Sequence, residues 1–82
     1  MEVSKEEAIQ YAAVNQVLLE LTYNGVARLV EVYSYRYSNA GNKLLMAFCY
    51  KDGKTESFRM DRIDHAKATT EPFTPRWQIE IS

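Results

Sequence analysis

The densest group of charged side chains in the sequence lies in FRMDRID, residues 58 to 64. Asp61 and Asp64 are three residues apart, and two carboxylates near one another can carry out general acid–base catalysis. Arg59 and Arg62 stand beside them, however, and a local cluster of ion pairs explains the same residues without catalysis. We therefore expect an ion-pair cluster here and no enzyme activity.

The rest of the sequence contains no pattern typical of a metal site, a catalytic nucleophile or a phosphate-binding loop. His65 is the only histidine and Cys49 the only cysteine, so the sequence lacks a set of zinc ligands. We expect His65 on the surface, and Cys49, inside the apolar run LLMAFCY, as a buried reduced thiol. The three glycines all belong to turns, and none forms a phosphate-binding loop. The sequence predicts no catalytic residue, no metal and no cofactor.

A second unusual stretch is VYSYRYS, residues 32 to 38. Because side chains alternate along a strand, Tyr33, Tyr35 and Tyr37 would share one face, with Ser34 and Arg36 on the other. Tyrosine is a strong strand former that often packs its ring and leaves its hydroxyl to solvent. The row is therefore either part of the core or an exposed aromatic platform with a basic edge.

Length and charge limit the classes of protein that fit. The chain has 82 residues, of which 46% are hydrophobic and 26% charged, which is typical of one small globular domain. Its net charge of −1 excludes bulk attraction to nucleic acid or membrane, so a polyanion site would depend on local arrangement. No run approaches the length of a membrane span, and MEVSKEEA does not resemble a signal peptide. We expect a cytoplasmic location.

Residues 1 to 16 are predicted to contain an N-terminal helix. Ser4 and Glu7 form an S-x-x-E capping box ahead of apolar residues at helical spacing, so the helix should begin near residue 5. Its apolar side should pack against a sheet.

Residues 17 to 82 are predicted to form a β domain with a C-terminal tail. VLLELTY and the segment from Val26 to about Tyr37 read as two strands joined at Asn24-Gly25, a strong signal for a type I′ hairpin. KLLMAFCYK is apolar on both faces and should be central, and Asp52-Gly53 joins it to KTESFRM. HAKATTE supplies a fifth strand.

Five short strands in hairpin order favour a small five-stranded barrel, because closure removes the exposed edges of so short a sheet. Contact with a symmetric partner would protect the edges equally well.

Four segments carry a resemblance to a known family: RLVEVYSYR at 28 to 36, GNKLLMAFCY at 41 to 50, EPFTPRW at 71 to 77 and, most specifically, FRMDRI at 58 to 63. Together they resemble the WYL domain. The resemblance covers about residues 17 to 77. The sequence departs from the WYL pattern at the Trp-Tyr-Leu signature, which falls at Lys43-Leu44-Leu45, and at Val32 and Met60, which replace a proline and a leucine.

The resemblance implies an SH3-like or Sm-like small barrel of the kind that bacterial transcriptional regulators attach to a helix-turn-helix. It also implies ligand sensing, with single-stranded nucleic acid or a nucleotide as the ligand. Residues 1 to 16 cannot hold a helix-turn-helix, so the chain is either free-standing or part of a longer regulator. The positions matching the family's ligand face are Arg28, Tyr33, Arg36, Lys43, Arg59 and Arg62.

Strand alternation conflicts with this site, because Arg28 and Arg36 fall on one face of the strand and Tyr33 on the other. A β-bulge near Glu31-Val32 would shift the register, and bulges are frequent beside functional sites, but the sequence alone does not show one. The alternative role for each arginine is a solvated charge or a structural ion pair with Asp61, Asp64 or Glu31.

Two function classes follow. The first is a non-catalytic regulatory domain that binds single-stranded nucleic acid or a nucleotide by bidentate arginine–phosphate pairing and base stacking. The second is a protein-interaction or homo-oligomerisation module without a nucleic-acid ligand, using the barrel edge with Phe73, Trp77 and Ile79.

Overall fold

The computed structural model describes residues 4–81, which form one helix followed by a sheet and a tail. Helix α1 spans Lys5–Asn15. The Ser4 side chain caps it by accepting a hydrogen bond from the Glu7 backbone N–H at 3.2 Å. The helix ends at Gln16, which adopts the left-handed conformation at φ 54°. The capping box therefore predicted the start of the helix correctly.

The sheet contains five antiparallel strands in the order β4-β3-β2-β1-β5. A short 3-10 turn at Met60–Arg62 joins β4 to β5. The strands are β1 Val17–Tyr23, β2 Val26–Tyr37, β3 Lys43–Cys49, β4 Lys54–Arg59 and β5 Ile63–Pro72.

The mainly β fold with one N-terminal helix is confirmed, but the sheet is not closed into the predicted barrel. Strands β4 and β5 remain its two edges across residues 4–81. The chain crosses between these edges within three residues, because Met60–Arg62 form a single tight turn. The turn joins the two edge strands, but within residues 4–81 no ladder of backbone hydrogen bonds pairs β4 with β5.

The first hairpin has the predicted geometry. Tyr23 pairs with Val26 across the turn, and Asn24 and Gly25 have φ values of 50° and 79°. Positive φ at both central positions is the mark of a type I′ turn, whose twist matches that of the two strands.

One face of the sheet and the helix enclose the main core. Leu45, Ala47 and Cys49 of β3 are fully buried on this face, and Leu44 and Phe48 on the other face are partly buried. The central placement of β3 and the burial of the thiol are thus confirmed. The other main contributors are Ile9, Ala12, Leu19, Leu21, Val30, Val32, Phe58, Met60 and Ile63.

A β-bulge lies in β2 at Tyr33, directly after Glu31-Val32, where a bulge would shift the register. Val32 pairs with Ala47 and Ser34 with Met46, so Tyr33 is the extra residue between two consecutive partners on β3. The insertion reverses the alternation of side chains in the rest of β2. Tyr35 consequently turns to the core face, and Arg36 turns to the opposite face.

The tail, residues 73–81, crosses the opposite face and returns along β2. The Phe73 N–H donates to the Gln16 carbonyl at 2.9 Å, and the Glu80 N–H donates to the Tyr33 carbonyl at 2.7 Å. Phe73, Leu18 and Tyr33 form a second, smaller core there. In the part of the chain that the structure describes, no helix has the length and apolar character of a membrane span.

Candidate functional site

The face of β2, β3 and β4 that points away from the main core, which we call the outer face, carries a pair of arginines. Arg36 lies directly opposite Leu44 on β3, and Leu44 lies directly opposite Arg59 on β4. Directly opposed residues of antiparallel strands project to the same side. The two arginines therefore flank one leucine, with backbones about 10 Å apart, or two strand spacings.

Arg59 is held in place by an ion pair. Its Nη2 and Nε lie 2.7 Å and 3.1 Å from the two carboxylate oxygens of Asp61, and Nη2 also lies 3.4 Å from Asn42 Oδ1. Hydrogen bonding from Arg59 lowers the pKa of Asp61. This pair is confirmed, and it sits at the surface, where ion pairs exchange readily with other anions.

Arg28 does not share the face of Arg36, contrary to the prediction. It lies opposite the buried Leu21, on the core side of β2, because the bulge separates the two arginines. Its Nη1 is 3.2 Å from Asp52 and 3.5 Å from Glu56. Arg28 therefore has a structural role at the end of the main core.

These acidic groups also provide the closest approach to a metal-ligand set within residues 4–81. One ligand atom each from Cys49, Asp52 and Glu56 lies within 4.8 Å of the others. The Arg28 guanidinium contacts both carboxylates, so a protein cation already balances their charge.

Lys43 and Arg62 also lie apart from the arginine pair. The Lys43 ammonium lies 4.1 Å from the centre of the Tyr35 ring, in a cation–π contact on the core-side face. Arg62 is exposed on the turn between β4 and β5. Of the six predicted ligand residues, the structure brings only Tyr33, Arg36 and Arg59 to the outer face.

Tyr33 is not available as the predicted stacking ring, because only 1% of it is exposed. Trp77 stacks on it with ring centres 4.4 Å apart and planes 25° apart, and the Phe73 ring meets it edge-on at 6.1 Å. A base could reach the Tyr33 ring only after the tail had left.

Below the tail lies a buried carboxylate, Glu31, which was predicted only as an alternative ion-pair partner of the site arginines and in fact pairs with Arg76. Glu31 is 2% exposed. The hydroxyls of Tyr33 and Tyr50 donate to its two oxygens, and Arg76 Nε lies 3.2 Å from Oε1. The Arg76 guanidinium also lies 3.9 Å from the centre of the Phe48 ring. The buried acid therefore accepts hydrogen bonds from three donors, one of which, the Arg76 guanidinium, also supplies the opposite charge.

The cluster of Glu31, Tyr33, Tyr50 and Arg76 also raises the pKa of its two tyrosines. Burial, reinforced by the Glu31 carboxylate, raises the pKa of Tyr33 to about 12. Burial likewise raises the pKa of Tyr50. Both hydroxyls therefore stay protonated as donors throughout the physiological range.

Two other polar residues named in the sequence analysis, Asp64 and His65, lie outside the Glu31 cluster and the arginine pair. Asp64 Oδ2 accepts a hydrogen bond from the Gly25 N–H at 3.0 Å, so Asp61 and Asp64 do not form a carboxylate pair. His65 is exposed, as predicted.

Comparison with known proteins identifies a structural likeness. No protein-family model and no curated protein sequence matches the chain. Among solved structures, the chain is similar to Proteasome accessory factor B/C (PafBC) of Arthrobacter aurescens, with a TM-score of 0.71 and 18% sequence identity. The match covers 99% of this chain but 15% of that protein. At this identity the likeness shows a shared fold, and the chain corresponds to a small part of PafBC.

Proposed function

We propose that this chain is a non-catalytic, WYL-like regulatory domain that binds single-stranded nucleic acid through its outer face. A nucleotide is the smallest ligand with the same chemistry. The proposal includes a role in bacterial transcription regulation and the SH3-like or Sm-like architecture of the WYL domain.

The row Arg36–Leu44–Arg59 is the observation that carries the proposal. Two guanidinium groups on one face can each pair a phosphate bidentately, and the apolar side chain between them favours contact with a sugar or base over a hydrated ion. The bulge at Tyr33 creates this row, because without it Arg36 would point to the core face.

Two further observations support the proposal. FRMDRI, the most specific segment of the WYL resemblance, contains Arg59, and the fold is similar to part of PafBC. The net charge of −1 favours weak binding that depends on the local arginines.

Fluorescence anisotropy of labelled single-stranded dT20 tests the proposal. Two arginine–phosphate contacts predict that log affinity falls with log salt at a slope of about −1.4. Competition with ATP tests whether a single nucleotide is enough to occupy the site. Absence of dT20 and ATP binding at low salt would overturn the proposal and favour the interaction module, although Phe73, one residue predicted for that module, is buried within its own chain.

A further inference from the structure

We propose that Trp77 is the base-stacking ring of the outer face, an inference that rests on the proposed function. Binding to single strands combines cations that contact phosphates with aromatic faces that stack on bases. The arginine pair supplies the cations, and the buried Tyr33 ring cannot supply the aromatic face. Trp77 stacks directly on Tyr33 and is itself exposed.

The exposure of Trp77 fits this role. One face of the indole covers Tyr33, yet the residue is still 46% exposed. Covering one side of a flat ring leaves the other side to solvent. The fold therefore holds the indole against an internal ring while nearly half of the residue remains accessible to a ligand.

Two hydrogen bonds of Arg76, one from its backbone and one from its side chain, hold the tail next to the indole. The N–H of Arg76, the residue before Trp77, donates to the Tyr33 hydroxyl at 3.0 Å. The Arg76 side chain is itself fixed by Glu31, at 3.2 Å. A ring ordered before binding loses little conformational freedom when a base stacks on it.

Trp77, stacked on Tyr33, lies on the side of the sheet that carries the arginine pair. Tyr33, which it covers, precedes Arg36 by three residues on β2, a separation of about 10 Å along the strand. Tyr33 and Arg36 lie on the same side of the sheet because of the bulge. A single strand laid along β2 could thus stack a base on Trp77 while its phosphates contact Arg36 and Arg59.

The sequence contains one tryptophan, so fluorescence excited at wavelengths that tyrosine does not absorb reports on this ring alone. We expect dT20 to quench the Trp77 emission with the same apparent affinity that anisotropy gives. Replacing Trp77 by Leu should weaken dT20 binding by roughly 5- to 150-fold, the loss of one stacked base, without changing the salt slope. Trp77→Phe keeps a smaller aromatic ring, so its affinity for dT20 should lie between those of the wild type and Trp77→Leu.

Tyr37→Leu is the matched control, because Tyr37 is 69% exposed, lies on the same strand and faces the other side of the sheet. It should bind dT20 like the wild type. Circular dichroism and thermal melting check that every variant is folded. If dT20 binds without quenching Trp77, and Trp77→Leu binds as well as the wild type, this inference fails while the proposed function stands. If the wild type does not bind, both fail.

Discussion

Arg76 Nε lies 3.2 Å from the buried Oε1 of Glu31, a residue 45 positions earlier in the chain. This contact fastens the tail to β2 just before the bulge. It also fixes the residue that precedes Trp77, so the position of the proposed stacking ring depends on a buried acid.

Replacing Glu31 by Ala should destabilise the protein by about 3 kcal/mol. The substitution leaves the buried Tyr33 hydroxyl and the partly buried Tyr50 hydroxyl without their acceptor and releases Arg76. Urea unfolding followed by circular dichroism measures the change. Glu20→Ala, at an exposed position of β1, is the control and should change stability by less than about 0.5 kcal/mol. Equal effects of the two variants would rule out a stabilising role for the buried cluster.

Stability should fall steeply between about pH 10 and pH 12. Burial raises the folded-state pKa of Tyr33 to about 12, above its ordinary value of 10.0. The neutral hydroxyl therefore contributes stability below pH 10, and this contribution is lost as the pH rises towards 12. Lysines titrate in the same range, so the informative quantity is the difference between the wild type and Tyr33→Phe. The variant should show a shallower loss of stability in urea unfolding across this range, and parallel curves would contradict the assignment.

Amide hydrogens of β3 should exchange more slowly than those of the loop at residues 38–42. Strand β3 bonds to β2 on one side and to β4 on the other, and its core face is fully buried. Exchange from such a strand requires opening of the whole sheet. Hydrogen exchange with mass spectrometry or NMR measures this, and similar rates for residues 44–49 and the loop would show that β3 is not the stable centre.

Replacing Asp61 by Asn should tighten dT20 binding roughly two- to five-fold, since the carboxylate competes with phosphate for Arg59. Glu6→Gln removes the same charge from the exposed side of α1 and is the control. Anisotropy compares the two variants. If both tighten binding equally, net charge explains the effect and Arg59 need not contact the strand.

Local patterns in the sequence predicted much of the fold. The capping box at Ser4 and the Asn24-Gly25 turn each depend on residues a few positions apart, and both formed as predicted. A bulge near Glu31-Val32 would shift the register of β2, and the structure has one at Tyr33, but the alternation of side chains alone could not show it.

Long-range contacts explain what the sequence did not predict. Tyr33 is buried by Phe73 and Trp77, which are 40 and 44 residues further along the chain, and no local pattern predicts which ring a distant tail will cover. A signal for the buried acid was present, however. Glu31 stands between Val30 and Val32 in an apolar strand, and an acid in such a strand requires a partner. Pairing Glu31 with Arg76 would have placed the tail on the outer face.

The salt dependence of dT20 binding by the double variant Arg36→Ala/Arg59→Ala tests the central claim most directly. The matched control is Lys51→Ala/Lys67→Ala, which removes two exposed cations from a turn and from β5. If the arginine pair holds the phosphates, the first variant should lose nearly all of the wild-type slope of about −1.4, and the control should keep it. A wild-type slope in the arginine variant, or an equal loss in both, would contradict the assignment of the ligand site to the outer face.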